Sequence, residues 1–134
     1  MSVPFRLLLP ALMLLGGCAS KPPATVTLEE SQASRCHPLQ LHQGQTLVLS
    51  LPSDPTSGYR WQLLDAAPTV LRSLGPEVYS NPEDSGDLVG SDGESTWRFQ
   101  VAKAGDAQLA LRYQQAWDAD GAPAKTFECA LHAE

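Results

Sequence analysis

The chain has 134 residues, enough for one small domain and not for two. Nine basic residues face fifteen acidic ones, for a formal net charge of −6, and no basic stripe interrupts the acidity. That balance speaks against a nucleic-acid-binding surface, and no partner of that kind is expected.

The first seventeen residues carry one positive charge at Arg6, followed by an apolar run over 7–15 that is too short to span a bilayer. Leu15-Gly-Gly-Cys18 resembles a bacterial lipobox, in which a signal peptidase cuts before a cysteine that carries diacylglycerol. On that reading 1–17 is a signal peptide and Cys18 is lipidated. Ala19 and Ser20 give no aspartate-type retention signal, so the expected location is the outer membrane, facing the periplasm. Residues 18–34 contain Pro, Ala, Ser and Glu without sustained periodicity and read as a flexible tether, leaving 35–134 as the domain. Cys36 and Cys129 then remain in an oxidising compartment, where a disulfide between them is expected.

Within the domain, short alternating runs follow one another with turn residues between them. Runs at 37–41, 46–51, 59–64, 70–74, 77–79, 94–101, 108–113 and 125–132 read as strands, the clearest placing Leu47, Leu49 and Leu51 on one face. In the third run the inward set is Tyr59, Trp61 and Leu63. Strand spacing of this kind predicts an all-β, immunoglobulin-like sandwich of about seven or eight strands. Loops joining alternate strands of a sandwich emerge at one end, so 52–58, 81–93 and 114–123 should cluster into one edge.

The stretch Pro-Ser-Asp-Pro-Thr-Ser-Gly-Tyr-Arg-Trp over 52–61 is the most informative. Pro52 and Pro55 fix φ, and Pro55 also restricts Asp54. The Asp54 carboxylate can accept from backbone N–H groups two or three residues on, and Gly58 can turn the chain through positive φ. Thr56 and Ser57 stand at the tip, two small hydroxyl residues that can enter a narrow cleft. A loop so constrained is ordered before it meets a partner, which lowers the entropic cost of binding.

Catalytic and metal readings are weaker. Asp54, Ser57 and His42 supply the residue types of a triad, but Ser57 has no nucleophile-elbow context. Cys36-His37 with Cys129-x-x-His132 lacks paired zinc-ligand spacing, and Glu83, Asp84, Asp87 and Asp92 do not fit a calcium loop. No cofactor or metal is expected. Trp117 differs from Trp61 and Trp97 in lying in a polar loop, where it can serve as an interface anchor or cap the sandwich edge.

Asp54-Pro-Thr-Ser-Gly-Tyr-Arg-Trp61 resembles the Asn-Pro-Thr-Thr-Gly-Tyr-x-Trp signature of the chagasin family, protein inhibitors of papain-like cysteine peptidases. Leu88-Val-Gly-Ser-Asp-Gly93 resembles that family's Gly-x-Gly-Gly loop, and Arg112-Tyr-Gln-Gln-Ala-Trp117 its Tyr-x-Arg-Pro-Trp loop. The resemblance covers about residues 39–131. It implies a monomeric, non-enzymatic inhibitor that lays three loops across a peptidase cleft without being consumed. The contacting residues would be Asp54, Pro55, Thr56, Ser57 and Gly58 in the first loop, with Val89, Gly90, Ser91, Asp92 and Gly93 in the second. Gln115, Ala116 and Trp117 would serve in the third. Asp54 stands in place of Asn, Asp92 in place of Gly, and Gln115-Ala116 in place of Arg-Pro. The contrasting expectation is an envelope lipoprotein that keeps the sandwich and inhibits nothing.

Overall fold

A computed structural model describes residues 21–81, 93–118 and 120–134. Alternation of apolar and polar residues sorts the strands into two sheets. In β3 (Thr46–Ser53) Leu47, Leu49 and Leu51 are fully buried, and β7 (Gly93–Val101) pairs with it antiparallel and contributes Trp97, Phe99 and Val101 to the same core. β1 (Thr25–Glu29) adds to the free edge of β3 in parallel, while β5 (Leu71–Ser73) and β6 (Val78–Ser80) both pair with β7. The facing sheet has the order β2 (Leu39–Leu41), β9 (Lys125–Ala133), β8 (Gly105–Gln115), β4 (Tyr59–Ala66). Its inner face supplies Leu109, Leu111, Phe127, Cys129 and Leu131. Burial of two alternating faces against each other is the defining feature of an immunoglobulin-like sandwich.

Among the described residues there are nine strands, one more than the upper expectation. The additional one, β1, lies inside the stretch read as a flexible tether, and a 3-10 segment, Glu30–Arg35, follows it directly. Val26 and Leu28 alternate into the core, and the five pairs from Thr25↔Thr46 to Glu29↔Ser50 make this segment part of the domain. Leu63 is also not where its alternation would put it. It is 40% exposed, because a register shift between Leu63 and Asp65 rolls this edge strand off the regular pleat.

Cys36 and Cys129 are bonded to each other, across 93 positions of sequence. The bridge joins the 3-10 segment after β1, on one sheet, to β9 in the other. It also takes both sulfurs out of any zinc arrangement.

At the end where β9 finishes, His132 shares a hydrogen bond of 2.6 Å with Asp106 and lies 3.6 Å from Glu134. The hydrogen bond to Asp106 is the main reason its pKa is raised, opposed by some desolvation. A raised value favours the folded state when the imidazole is protonated. The contribution is complete below the unfolded-state pKa and disappears as pH rises through the folded one. This group stands at the end of the sandwich opposite the loops described next.

Candidate functional site

Register places the three loop roots at one end. Ser53, where β3 stops, is opposite Gly93, where β7 starts; Ser80, where β6 stops, is opposite Glu94; and Tyr59, where β4 starts, is opposite Gln115, where β8 stops. The strand ends that flank 54–58, 81–92 and 116–124 therefore lie at the same edge. Val89, Gly90, Ser91 and Asp92 lie outside the described residues, as do Cys18 and the acidic residues Glu83, Asp84 and Asp87. Gly93 is buried, and a β-carbon there would meet the Tyr79 ring and the Ser80 carbonyl at 2.6 Å, so only glycine lets β6 and β7 approach this closely.

The first loop is a single 3-10 turn, Pro55–Ser57, held almost entirely by its own atoms. Asp54 Oδ1 accepts from the Thr56 N–H at 3.1 Å and from the Thr56 hydroxyl at 2.5 Å. The Asp54 carbonyl accepts from the Ser57 N–H at 3.2 Å and from the Ser57 hydroxyl at 2.6 Å, while the Pro55 carbonyl accepts from the Gly58 N–H at 3.2 Å. Gly58 closes the turn at φ 83°, a left-handed conformation in which a side chain is strained.

Two aromatic side chains fix this turn to the sandwich. The Trp61 indole N–H donates to the Pro52 carbonyl at 2.9 Å, and the Tyr113 hydroxyl accepts from the Asp54 N–H at 3.0 Å. Tyr113 packs against Tyr59 and Trp61, with ring centroids 5.3 and 4.9 Å away, and Lys125 Nζ lies 5.9 Å from its centre. Tyr113, the tyrosine of the third motif, thus acts on the first loop, a contact that the sequence does not announce. Its partner Asp54 is 59 positions away and in the other half of the fold.

The third loop meets the first directly. Gln115 is half-buried at the end of β8, Ala116 is exposed, and Trp117 is 71% exposed yet lies over Gly58. A β-carbon on Gly58 would stand 2.6 Å from Trp117 Cζ3. Among the described residues, Asp54, Pro55, Thr56, Ser57, Gly58, Gly93, Gln115, Ala116 and Trp117 all sit at this one end.

Among the described residues, Asp54, Ser57 and His42 are not brought together. His42 belongs to the turn before β3, so the eight residues of that strand, roughly 25 Å, separate it from Ser57. A groove of about 510 Å³ beside the first loop is lined by Glu29, Glu30, Ser31, Ser50, Pro52, Glu94 and Lys125. Its Ser50 hydroxyl is bonded to Thr96 and its Lys125 lies 3.8 Å from Glu30.

Residues 40–131 match the sequence pattern described as chagasin family peptidase inhibitor I42. The chain belongs to the chagasin family. That family consists of inhibitors rather than enzymes. The fold is shared with the cysteine protease inhibitor EhICP2 from Entamoeba histolytica, at TM-score 0.63 and 13% identity over 82% of this chain and 95% of that one. Amebosin aligns at TM-score 0.62 and 19% identity, over 84% and 100%. PbICP-C, seen in complex with falcipain-2, aligns at TM-score 0.51 and 15% identity, over 82% and 89%. No curated relative matches the chain by sequence.

Proposed function

We propose that this protein is a reversible inhibitor of papain-like cysteine peptidases that obstructs the active-site cleft with the edge formed by its three loops. The observation that carries the reading is the internal bonding of the first turn. A peptidase attacks a carbonyl whose oxygen is free to enter an oxyanion hole. In this turn the Asp54 and Pro55 oxygens are already engaged by Ser57 and Gly58, in a closed 3-10 geometry. The tip can enter the cleft as a preformed wedge with the Asp54 and Pro55 carbonyls withheld from the oxyanion hole. Family membership supports the inhibitory role, and the structural relative EhICP2, a cysteine protease inhibitor, supports the class of target.

Protection of the catalytic thiol tests this directly. With the inhibitor in excess, alkylation of a papain-like enzyme by a small cysteine reagent should slow in proportion to occupancy; an unchanged alkylation rate alongside inhibition would place the protein outside the cleft.

Trp117 extends the wedge. An indole that is 71% exposed in the free protein is unfavourable in water and becomes an anchor when a partner covers it. Trp117→Ala is expected to weaken inhibition about 30-fold, about 2 kcal/mol, with little change in melting temperature. A large loss of thermal stability would assign the ring to the sandwich instead, and an unchanged inhibition constant would leave the third loop outside the interface.

We also propose that lipidated Cys18 holds the domain at the outer membrane, on the periplasmic face. The parallel pairing of β1 with β3 gives this reading a direction. The chain enters the domain at Thr25, opposite Thr46, while β3 runs from there to Ser53 and the first loop. An anchor ahead of Thr25 therefore attaches at the end remote from the inhibitory edge, which points away from the lipid. Cys18→Ser should release the protein from membrane fractions, and a variant that still pellets with membranes is anchored by something else.

A further inference from the structure

Gln114 interrupts the logic of β8. Along that strand Leu109, Leu111 and Tyr113 face the core, so Gln114 points to the other side of the sheet, where a position near a strand end is ordinarily wet. Instead it is only 2% exposed. The third loop folds back over it, and both hydrogen-bond donors of its amide are spent on that loop. Nε2 donates to the Gly121 carbonyl at 2.7 Å and to the Asp118 carbonyl. The loop backbone is wound around the same point, with Asp118 N–H donating to Gln115 O at 3.1 Å, Gly121 N–H to Asp118 O at 3.2 Å and Ala124 N–H to Tyr113 O at 2.9 Å. The Gln114 Oε1 atom is buried and has no partner among the described residues. A buried amide with an unpaired oxygen is a poor space-filler compared with an apolar side chain, so its donors are its use.

We propose that Gln114 is a positioning residue for inhibition: its amide pins the carbonyls on the far side of Trp117 and thereby holds the indole over Gly58. This rests on the inhibitory reading given above and deepens it. The residue touches no peptidase itself. It acts by ordering the third loop before binding, so that Trp117 arrives beside the first loop as one surface and less entropy is lost on contact. In a loop with alanine at 116 and glycine at 121, local sequence supplies little stiffness, and the amide supplies it from beneath.

Full-length protein in detergent, labelled with 5-fluorotryptophan, tests the positioning without any peptidase. Gln114→Leu fills a similar volume without donors, and Gln114→Glu offers acceptors only. In either variant the fluorine signal of Trp117, assigned by its loss in Trp117→Ala, should sharpen and shift toward the solvent-exposed value while those of Trp61 and Trp97 stay in place. An unchanged Trp117 signal in both would overturn the proposal. Shifts at Trp61 and Trp97 as well would also overturn it, by making Gln114 a residue of general stability. If the wild type inhibits a papain-like peptidase, Gln114→Leu should weaken inhibition about tenfold, with no further loss in a Trp117→Ala background. Equal losses in both backgrounds would show that Gln114 does not act through Trp117. A wild type that fails to inhibit would remove the function while leaving the fluorine result standing on its own.

Discussion

Replacing Thr56 with tryptophan is expected to weaken inhibition of a papain-like peptidase by about 1,000-fold or more, about 4 kcal/mol, while Thr56→Ala costs about tenfold or less. The asymmetry follows from the turn. Thr56 is exposed at its tip, so in the free protein an indole there meets only solvent and the fold tolerates it. In the complex the same ring would occupy the space between wedge and cleft floor, and the closed turn cannot retreat because Asp54 and Pro55 hold it at both carbonyls. Alanine removes one hydroxyl that is already satisfied within the loop by Asp54, which is the scale of a single intramolecular hydrogen bond, about 1 kcal/mol. Similar inhibition constants for the two variants would mean that the tip does not enter the cleft.

The other large effect concerns stability. Removing the Cys36–Cys129 bridge by double replacement with serine should cost about 4 to 5 kcal/mol at most on the chain-entropy account of a loop of this length. For a domain of this size that is a sizeable part of all folding stability, and the melting temperature should fall by about 20 °C. Both sulfurs are buried, so two serine hydroxyls add a desolvation cost in the same direction. The bridge joins the segment after β1 to the opposite sheet, so its loss should free the β1 edge first. A drop of only a few degrees would show that the sandwich core and the β1 pairing carry the fold without it.

The main strands were legible because their burial follows a period of two. Leu47, Leu49 and Leu51 are fully buried, and so is Leu109, with Leu111 nearly so, as alternation requires. Thr25-Val-Thr-Leu-Glu29 carries the same alternation, but it is short and follows Pro22-Pro23. Its parallel pairing with β3 also involves no hairpin turn that would announce it. The first loop was readable for a different reason: Asp54, Pro55 and Gly58 determine a turn through atoms two or three residues apart. What surrounds the loop was not, because Tyr113 reaches Asp54 from 59 positions away and Trp117 covers Gly58 only after both sheets have formed. Gln114 was concealed by its own pattern. A glutamine just past the 108–113 run reads as the first residue of a solvated loop, and only the extension of β8 to Gln115 and the return of the third loop over it reveal a buried amide.

Titration of a papain-like peptidase of known active-site concentration with the full-length protein in detergent, followed by intact-mass measurement of the mixture after prolonged incubation, bears most directly on the central claim. The account predicts that activity falls to near zero at one equivalent, returns on dilution, and leaves the inhibitor uncut at 54–58. Full peptidase activity at a large excess of the protein, or progressive cleavage of that turn with recovery of activity, would contradict it.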